Sequence, residues 1–157
     1  NTDGSVILSQ GSAAVGGVLR GADSRFVVAF DVNLGGGSIT DAELAGINYD
    51  LRLAWDGGVR KLIVQKDSAA AIALLQSDQT SHPHHTLVNS IKRQLNQQWE
   101  VHIMHAFRES NYVADYLASV GHSIRIGIRF VDNPSATLNH WLYFDLLGLQ
   151  TPRIINI

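Results

Sequence analysis

The chain has 157 residues, of which 45% are apolar and 17% are charged, and its formal net charge is −2. This length and composition fit one globular domain with a complete core, and they argue against intrinsic disorder. No apolar run is long enough to span a membrane and no signal sequence is visible, while the absence of cysteine excludes disulfides and thiolate zinc sites. We therefore expect an intracellular protein, in the nucleus or the cytoplasm, that has no membrane partner.

The charge is unevenly distributed along the chain. Residues 1–58 carry three arginines against seven acids, whereas residues 59–108 carry six basic residues against three acids and also hold five of the seven histidines. The middle segment could present a mildly basic face to a nucleic acid, although solvated surface is the commoner meaning of such a pattern.

Three short β-strands open the chain. Apolar and β-branched residues over 1–8, 15–19 and 26–30 are separated by turns rich in glycine, serine and aspartate, which predicts an antiparallel meander. The first segment is β-rich from its first residue, so we expect a truncated first strand and a fragment of a longer polypeptide.

A long helix is predicted next. Thr40 and Glu43 have the spacing of a capping box, with Thr40 as the N-cap and Glu43 reaching back to it. Apolar residues then recur at helical spacing until the two glycines at 57–58, which end the helix. The three glycines at 35–37 are not a phosphate-binding loop, because no Lys-Ser or Lys-Thr pair follows them.

Strands and helices alternate in the rest of the chain. The predicted elements are a buried strand over 61–67, a helix over 69–75 capped by Ser68, a helix through Leu87, Ile91 and Leu95, and a strand over 99–105. A last clear helix is capped by Asn111 or Ser110 and runs to Gly121, which lies where a C′ glycine belongs. A polar loop that includes three histidines, at 82, 84 and 85, separates two of these helices. Without cysteine or an acid at ligand spacing, this loop is better interpreted as exposed surface than as a zinc site.

The order βββαβααβα predicts an α/β domain. Helical crossovers imply parallel strands, so we expect a mixed five-stranded sheet, with three antiparallel strands followed by parallel ones and helices on both faces. We assign residues 1–121 to this domain and residues 122–157 to a C-terminal extension packed on it. In the extension, Leu138, Trp141 and Leu142 predict one turn of amphipathic helix.

Four acids occur at strand ends and helix starts. Asp3 lies in the first strand, Glu43 begins the long helix, Asp67 closes an apolar strand, and Asp115 lies in the first turn of the last helix. Taken singly, such acids usually cap turns or helices. If they converge on one sheet edge, however, the carboxylates repel one another unless cations are present, and hard oxygen ligands suit Mg²⁺ or Mn²⁺.

The motifs around these acids occur in a fixed order. They are Thr2-Asp3-Gly4-Ser5, Ala42-Glu43-Leu44, Lys66-Asp67-Ser68, and a segment from His105 through Arg108 and Asn111 to Asp115-Tyr116-Leu117-Ala118. Together they resemble the motifs of type 1 ribonuclease H, and more narrowly those of plant ribonuclease-H-like domains related to retrotransposon open reading frames. Two further segments, Gly17-Val18-Leu19-Arg20 and Leu53-Ala54-Trp55, are similar to the plant group.

The resemblance implies a ribonuclease-H-like fold and a catalytic quartet. Asp3, Glu43, Asp67 and Asp115 would bind two Mg²⁺ or Mn²⁺ ions, with no small-molecule cofactor. His105 would assist proton transfer or product release, and the alternative for it is a strand-end histidine bonded to the backbone.

Substrate contacts are also implied by the resemblance. They would come from Gly4, Ser5, Arg108 and Asn111. Arg108 could meet a phosphate or simply cap its loop.

The expected activity is endonucleolytic hydrolysis of the RNA strand of an RNA–DNA hybrid, by a protein that is monomeric or part of a longer polypeptide. The alternative is a catalytically silent module that keeps the fold and binds a nucleic acid or a protein. Nucleases that act on DNA alone share this fold, so that activity is a further alternative, since a fold does not by itself determine a function.

Overall fold

The computed structural model describes residues 1–77 and 82–150, which form a six-stranded mixed β-sheet with α-helices on both faces. The strands are β1 (Thr2–Ile7), β2 (Ser12–Arg20), β3 (Phe26–Gly35), β4 (Lys61–Lys66), β5 (Glu100–His105) and β6 (Gly127–Val131). The helices are α1 (Ile39–Asp56), α2 (Ala69–Gln76), α3 (His85–Leu95), α4 (Tyr112–Gly121) and α5 (Ala136–Gln150). No helix in these ranges is long and apolar enough to cross a membrane.

The strands lie in the order β5-β4-β1-β2-β3-β6. The pairs β1–β2, β2–β3 and β3–β6 are antiparallel, whereas β4 runs parallel to both β1 and β5. The predicted α/β class and mixed sheet are therefore confirmed, but the prediction of five strands is wrong. The sixth strand escaped prediction because its side chains are almost all exposed, so it lacks the alternation of buried and polar residues that marks a strand.

Helices cover both faces because neighbouring residues of a strand point to opposite sides. On β2, Val15 belongs to a buried cluster with Ala42 and Ala45 of α1, whereas Val18 belongs to a cluster with Val113 and Leu117 of α4. A third cluster joins α1 to α2, α3 and β4. These contacts hold α1 and α4 against opposite faces of the central strands.

The start of α1 differs from the prediction. Ser38, rather than Thr40, is the N-cap: its Oγ accepts from the Asp41 amide, and the Asp41 carboxylate accepts from the Ser38 amide. The prediction that Glu43 completes the capping box is wrong, because α1 is capped two residues earlier than predicted and Asp41 occupies the N3 position. Its carboxylate is consequently available for contacts elsewhere.

The end of α4 and the C-terminal region also differ. Gly121 is the last residue of α4 rather than its C′ residue, and a Cβ there would lie 3.0 Å from the Val32 carbonyl oxygen, so close packing is what favours glycine. The predicted single turn around Leu138 is instead the 15-residue helix α5, which buries Leu138 against α4. The polar loop lies partly outside the described residues, and within its described part His84 Nδ1 is 2.8 Å from the Asp41 carboxylate.

Candidate active site

The sheet topology brings the start of β1 next to the end of β4. These strands are parallel neighbours, and Thr2 of β1 pairs with Lys66 of β4. Asp3 follows Thr2 within β1, and Asp67 follows Lys66 directly after β4. Their positions in adjacent strands place both carboxylates at the same part of the sheet.

Two glycines let the helices approach this part of the sheet closely. A Cβ on Gly4 would lie 2.8 Å from backbone atoms of Ala42 and Glu43, so only glycine lets α1 come this near to β1. On the other face, a Cβ on Gly16 would lie 2.3 Å from the Ala114 carbonyl oxygen of α4. Close packing of α1 next to Gly4 is what sets Glu43 beside Asp3.

Three of the four predicted acids converge. Asp3, Glu43 and Asp67 each offer a carboxylate oxygen, and these oxygens lie within 4.8 Å of one another. Asp115 lies outside this group, and its residue is exposed on the first turn of α4. It is nevertheless near enough to raise the pKa of Asp3 through its negative charge. We call Asp3, Glu43 and Asp67 the acidic cluster.

A lysine ammonium lies inside the acidic cluster. The Lys66 side chain is completely buried, and its Nζ contacts Glu43 Oε2 directly. The same Nζ is 3.7 Å from an oxygen of Asp3 and 3.9 Å from an oxygen of Asp67. It donates a hydrogen bond of 3.1 Å to the Thr2 carbonyl oxygen. One positive charge thus faces three carboxylates.

Burial and these charges shift the protonation of the cluster. Burial raises the pKa of Asp3 to about 7; the charges of Asp67 and Asp115 add to this rise, whereas the Lys66 ammonium and the Gly4 amide oppose it. Burial also lowers the pKa of Lys66 to about 8, against the opposing effect of Asp3 and Asp67. Both shifts have the sign expected for charged groups removed from water.

Sequence reasoning missed Lys66 as a site residue. Alternation in β4 puts Val64 and residue 66 on the same face, and Val64 is buried in the cluster beneath α1. A lysine is almost never fully buried without a partner. A lysine at a buried strand position next to an acidic motif was therefore the available signal.

A shallow cleft of about 470 Å³ opens beside the acidic cluster. Glu43 and Asp67 of the acidic cluster also line this cleft. The other residues that line it are Ser68, His105, Ala106, Phe107 and Arg108. Arg108 is exposed in this cleft, as a residue that meets a phosphate must be. The cleft gives a ligand access to the carboxylates.

His105 is the last residue of β5 and is exposed. Its Nε2 lies 3.1 Å from the Asp67 carbonyl oxygen. Because a carbonyl oxygen only accepts hydrogen bonds, this contact assigns the proton to Nε2 and leaves Nδ1 as the acceptor atom of the neutral ring. The backbone bond weighed as the alternative for His105 is present, and it holds the ring beside the acidic cluster.

The remaining residues predicted to touch substrate have other contacts. The Asn111 side chain is buried at the start of α4, where its Nδ2 donates to the Thr2 carbonyl oxygen at 3.2 Å. Ser5 Oγ is 3.0 Å from Nε2 of His122, and the Gly4 amide donates to the Asp3 carboxylate at 2.9 Å. Asn111 therefore positions β1 against α4 rather than offering its amide to the cleft.

A further acid, Asp145 of α5, fixes the start of α4. Its carboxylate is fully buried, accepts from the backbone amides of Tyr112 and Val113 at 2.7 and 3.3 Å, and pairs with Arg20 at 2.7 Å. Asn111 occupies the N-cap position of α4, but the capping oxygens come from Asp145. This contact spans 33 residues of sequence, so local capping rules could not reveal it.

The donor set of the acidic cluster fits a divalent ion. Three carboxylates on two strand ends and one helix provide the hard oxygen ligands that Mg²⁺ and Mn²⁺ prefer. No other group of three metal-ligating side chains occurs among the residues that the structure describes, the histidine loop included as far as it is described.

Comparisons with known proteins agree with this geometry. The model of a family described as reverse transcriptase-like matches residues 1–121. An Arabidopsis thaliana protein named "Putative ribonuclease H protein" is 34% identical over 158 residues, which is 100% of this chain and 26% of that protein. The chain therefore spans about a quarter of this curated relative.

Solved structures show the same fold. RNase H1 from the archaeon Halobacterium salinarum is 25% identical with a TM-score of 0.71, covering 76% of this chain and 92% of that one. LC11-RNase H1, solved in complex with an RNA/DNA hybrid, is 19% identical with a TM-score of 0.69, covering 78% and 94%.

Proposed function

The chain belongs to the reverse transcriptase-like family, and from this premise we propose that it is a metal-dependent endonuclease of the ribonuclease H type. Its substrate would be an RNA–DNA hybrid, whose RNA strand it cuts internally to leave 5′-phosphate and 3′-hydroxyl ends. The observation that carries the proposal is the convergence of Asp3, Glu43 and Asp67 beside an open cleft.

The acidic cluster would hold the divalent ions, with Asp115 next to it as the fourth acid of the family pattern. When bound, such a pair of ions activates a water molecule and stabilises the leaving oxygen of an in-line displacement at phosphorus. The contribution of the chain is to fix three carboxylates on rigid elements, since β1, β4 and α1 hold them in one place.

His105 and Arg108 would serve the substrate in the cleft. With Nε2 donating to the Asp67 carbonyl oxygen, Nδ1 of His105 is the atom that accepts or returns a proton during hydrolysis or product release. Arg108 would bind a phosphate of the substrate backbone, for which its planar guanidinium is suited.

Hybrid specificity is proposed from the relatives. LC11-RNase H1 was solved with an RNA/DNA hybrid, and its fold matches this chain. Proteins distinguish RNA from DNA chiefly by duplex shape and the 2′-hydroxyl, so cleavage should depend little on base sequence.

One observation favours a second function. The Lys66 ammonium lies among the three carboxylates, where a divalent ion would have to bind. If this ammonium excludes metal permanently, the domain is a catalytically silent module that keeps the fold to bind a nucleic acid or a protein.

A strand-labelled cleavage assay tests the proposed function. The chain is incubated with an RNA–DNA hybrid, double-stranded DNA, double-stranded RNA and single-stranded RNA, each with Mg²⁺ or with a chelator. We expect cleavage of the RNA strand of the hybrid, only with metal. Equal cutting of the DNA duplex, or equal activity in chelator, would contradict the proposal, and hybrid binding without any cleavage would support the silent module.

A further inference from the structure

Lys66 differs sharply from the other lysines of the chain. Of the three lysines, Lys61 is 84% exposed and pairs with Glu100 at the surface, Lys92 is half-buried, and the Lys66 side chain is 0% exposed. Burying an ammonium is costly unless it is paired and hydrogen-bonded. Among residues 1–77 and 82–150, Lys66 finds these partners in the acidic cluster and the Thr2 carbonyl oxygen.

The position of the Lys66 ammonium coincides with the position that a cation would take. Its Nζ is within 4 Å of an oxygen of each of the three carboxylates, and the same three carboxylates offer oxygens grouped closely enough to ligate one ion. A monovalent cation that is part of the chain and a divalent ion from solution would therefore compete for the same carboxylates.

We propose that Lys66 is a built-in counter-cation of the metal-free protein, and that a divalent ion binds the acidic cluster only by displacing the Lys66 ammonium. The inference rests on the proposed function for the class of ion. Lys66 would then set the affinity of the acidic cluster for the divalent ion, and ion binding would be coupled to a movement of the Lys66 side chain at the end of β4.

Three features of the chain favour this displacement. The Thr2 carbonyl oxygen also accepts from Asn111 Nδ2, so it stays hydrogen-bonded when Lys66 leaves. Glu43 and Asp67, whose carboxylates lie within 4 Å of the Lys66 ammonium, also line the neighbouring cleft, so the ammonium is one contact away from space open to solvent. Its flexible four-carbon stem permits such a movement without a change in the backbone.

Replacing Lys66 by methionine tests the competition directly. Methionine keeps an unbranched stem of similar length but carries no charge, so Mn²⁺ no longer has to displace an ammonium. We expect Mn²⁺ to bind Lys66→Met at least tenfold more tightly than the parent, as measured from free Mn²⁺ by electron paramagnetic resonance. Lys61→Met, the matched control on the same strand, should bind within twofold of the parent, and Mn²⁺ should raise the melting temperature of Lys66→Met more than that of either.

A second measurement needs no variant and serves if Lys66→Met does not fold. The parent is treated with an amine-acylating reagent, and the modification of each lysine is followed by mass spectrometry with and without saturating Mn²⁺. We expect Lys66 to be protected without metal and to react at least fivefold faster with it, whereas Lys61 should react at the same rate in both conditions.

The outcomes separate this inference from the proposed function. Tighter Mn²⁺ binding by Lys66→Met supports the inference, including the case in which only the variant binds Mn²⁺ and cleaves hybrid. Equal Mn²⁺ affinity of parent and variant, or continued protection of Lys66 in the Mn²⁺-bound parent, would overturn the inference and leave the proposed function standing. Absence of Mn²⁺ binding in both proteins would contradict the proposed function, and the inference with it.

Discussion

Replacing Asp145 by asparagine should destabilise the protein by about 3 kcal/mol. The Asp145 carboxylate is fully buried, pairs with Arg20 at 2.7 Å and accepts from two amides at the start of α4. Removing one charge of a buried pair costs roughly 3–5 kcal/mol, because the partner is left unpaired. Loss of a negative charge at a helix N-terminus adds about 0.3–1 kcal/mol. Since asparagine keeps one acceptor oxygen, and the Arg20 side chain is 11% exposed, we take the lower end of this range.

Urea melts of the parent and of Asp145→Asn measure this loss. For a domain of this size, about 3 kcal/mol corresponds to a fall in melting temperature on the order of 10 °C. Asp132→Asn, at an exposed position, removes the same charge and should change stability by less than about 0.5 kcal/mol. A loss below about 1 kcal/mol in Asp145→Asn would show that the contact between α5 and α4 does not stabilise the fold.

Three further predictions concern packing and chemistry. Gly16→Ala should lower the free energy of unfolding by about 3 kcal/mol in urea melts, since its Cβ would lie 2.3 Å from backbone atoms of α4. Gly36→Ala is the control and should be tolerated, because its Cβ would meet a carbonyl oxygen at 3.4 Å. His105→Ala should lower turnover on hybrid by roughly 10²-fold without changing Mn²⁺ affinity; unchanged turnover would limit His105 to its backbone bond. Asp67→Asn should abolish cleavage yet leave the metal-free protein as stable as the parent or more so, because two carboxylates still pair with Lys66; a clear loss in metal-free urea melts would contradict this.

The sequence predicted most of the elements that position the site. Helical spacing and glycine stops located α1, the hydroxyl of Ser68 does cap α2, and the strands before and after α2 and α3 lie where the apolar pattern placed them. These features depend on interactions between residues close in the chain. The strand β6 and the cap from Asp145 depend on partners far away in sequence, such as the pairing of Arg129 with the buried Asp31.

The carboxylates of the site and the convergence of three of them could be predicted because their motifs are local, but the exact membership of the group and the lysine inside it could not. Asp3, Glu43 and Asp67 converge as expected, whereas Asp115 lies beside the group rather than within it. The burial of Lys66 among them depends on how α1 packs over β1 and β4, and its sequence signal is limited to a lysine at a buried strand position next to an acidic motif. The carboxylates were expected to repel one another in the metal-free protein. The Lys66 ammonium offsets part of their negative charge, so this repulsion is weaker than expected.

The most direct test of a cation site at the acidic cluster is an anomalous difference map from crystals of the chain grown with Mn²⁺. We expect an anomalous peak between Asp3, Glu43 and Asp67, with the Lys66 amine moved out of the acidic cluster. The Mn²⁺ concentration should be one that supports cleavage by ribonucleases of this type. A cation site at the acidic cluster would be contradicted by crystals that show no anomalous peak at these carboxylates and in which Lys66 still contacts Glu43.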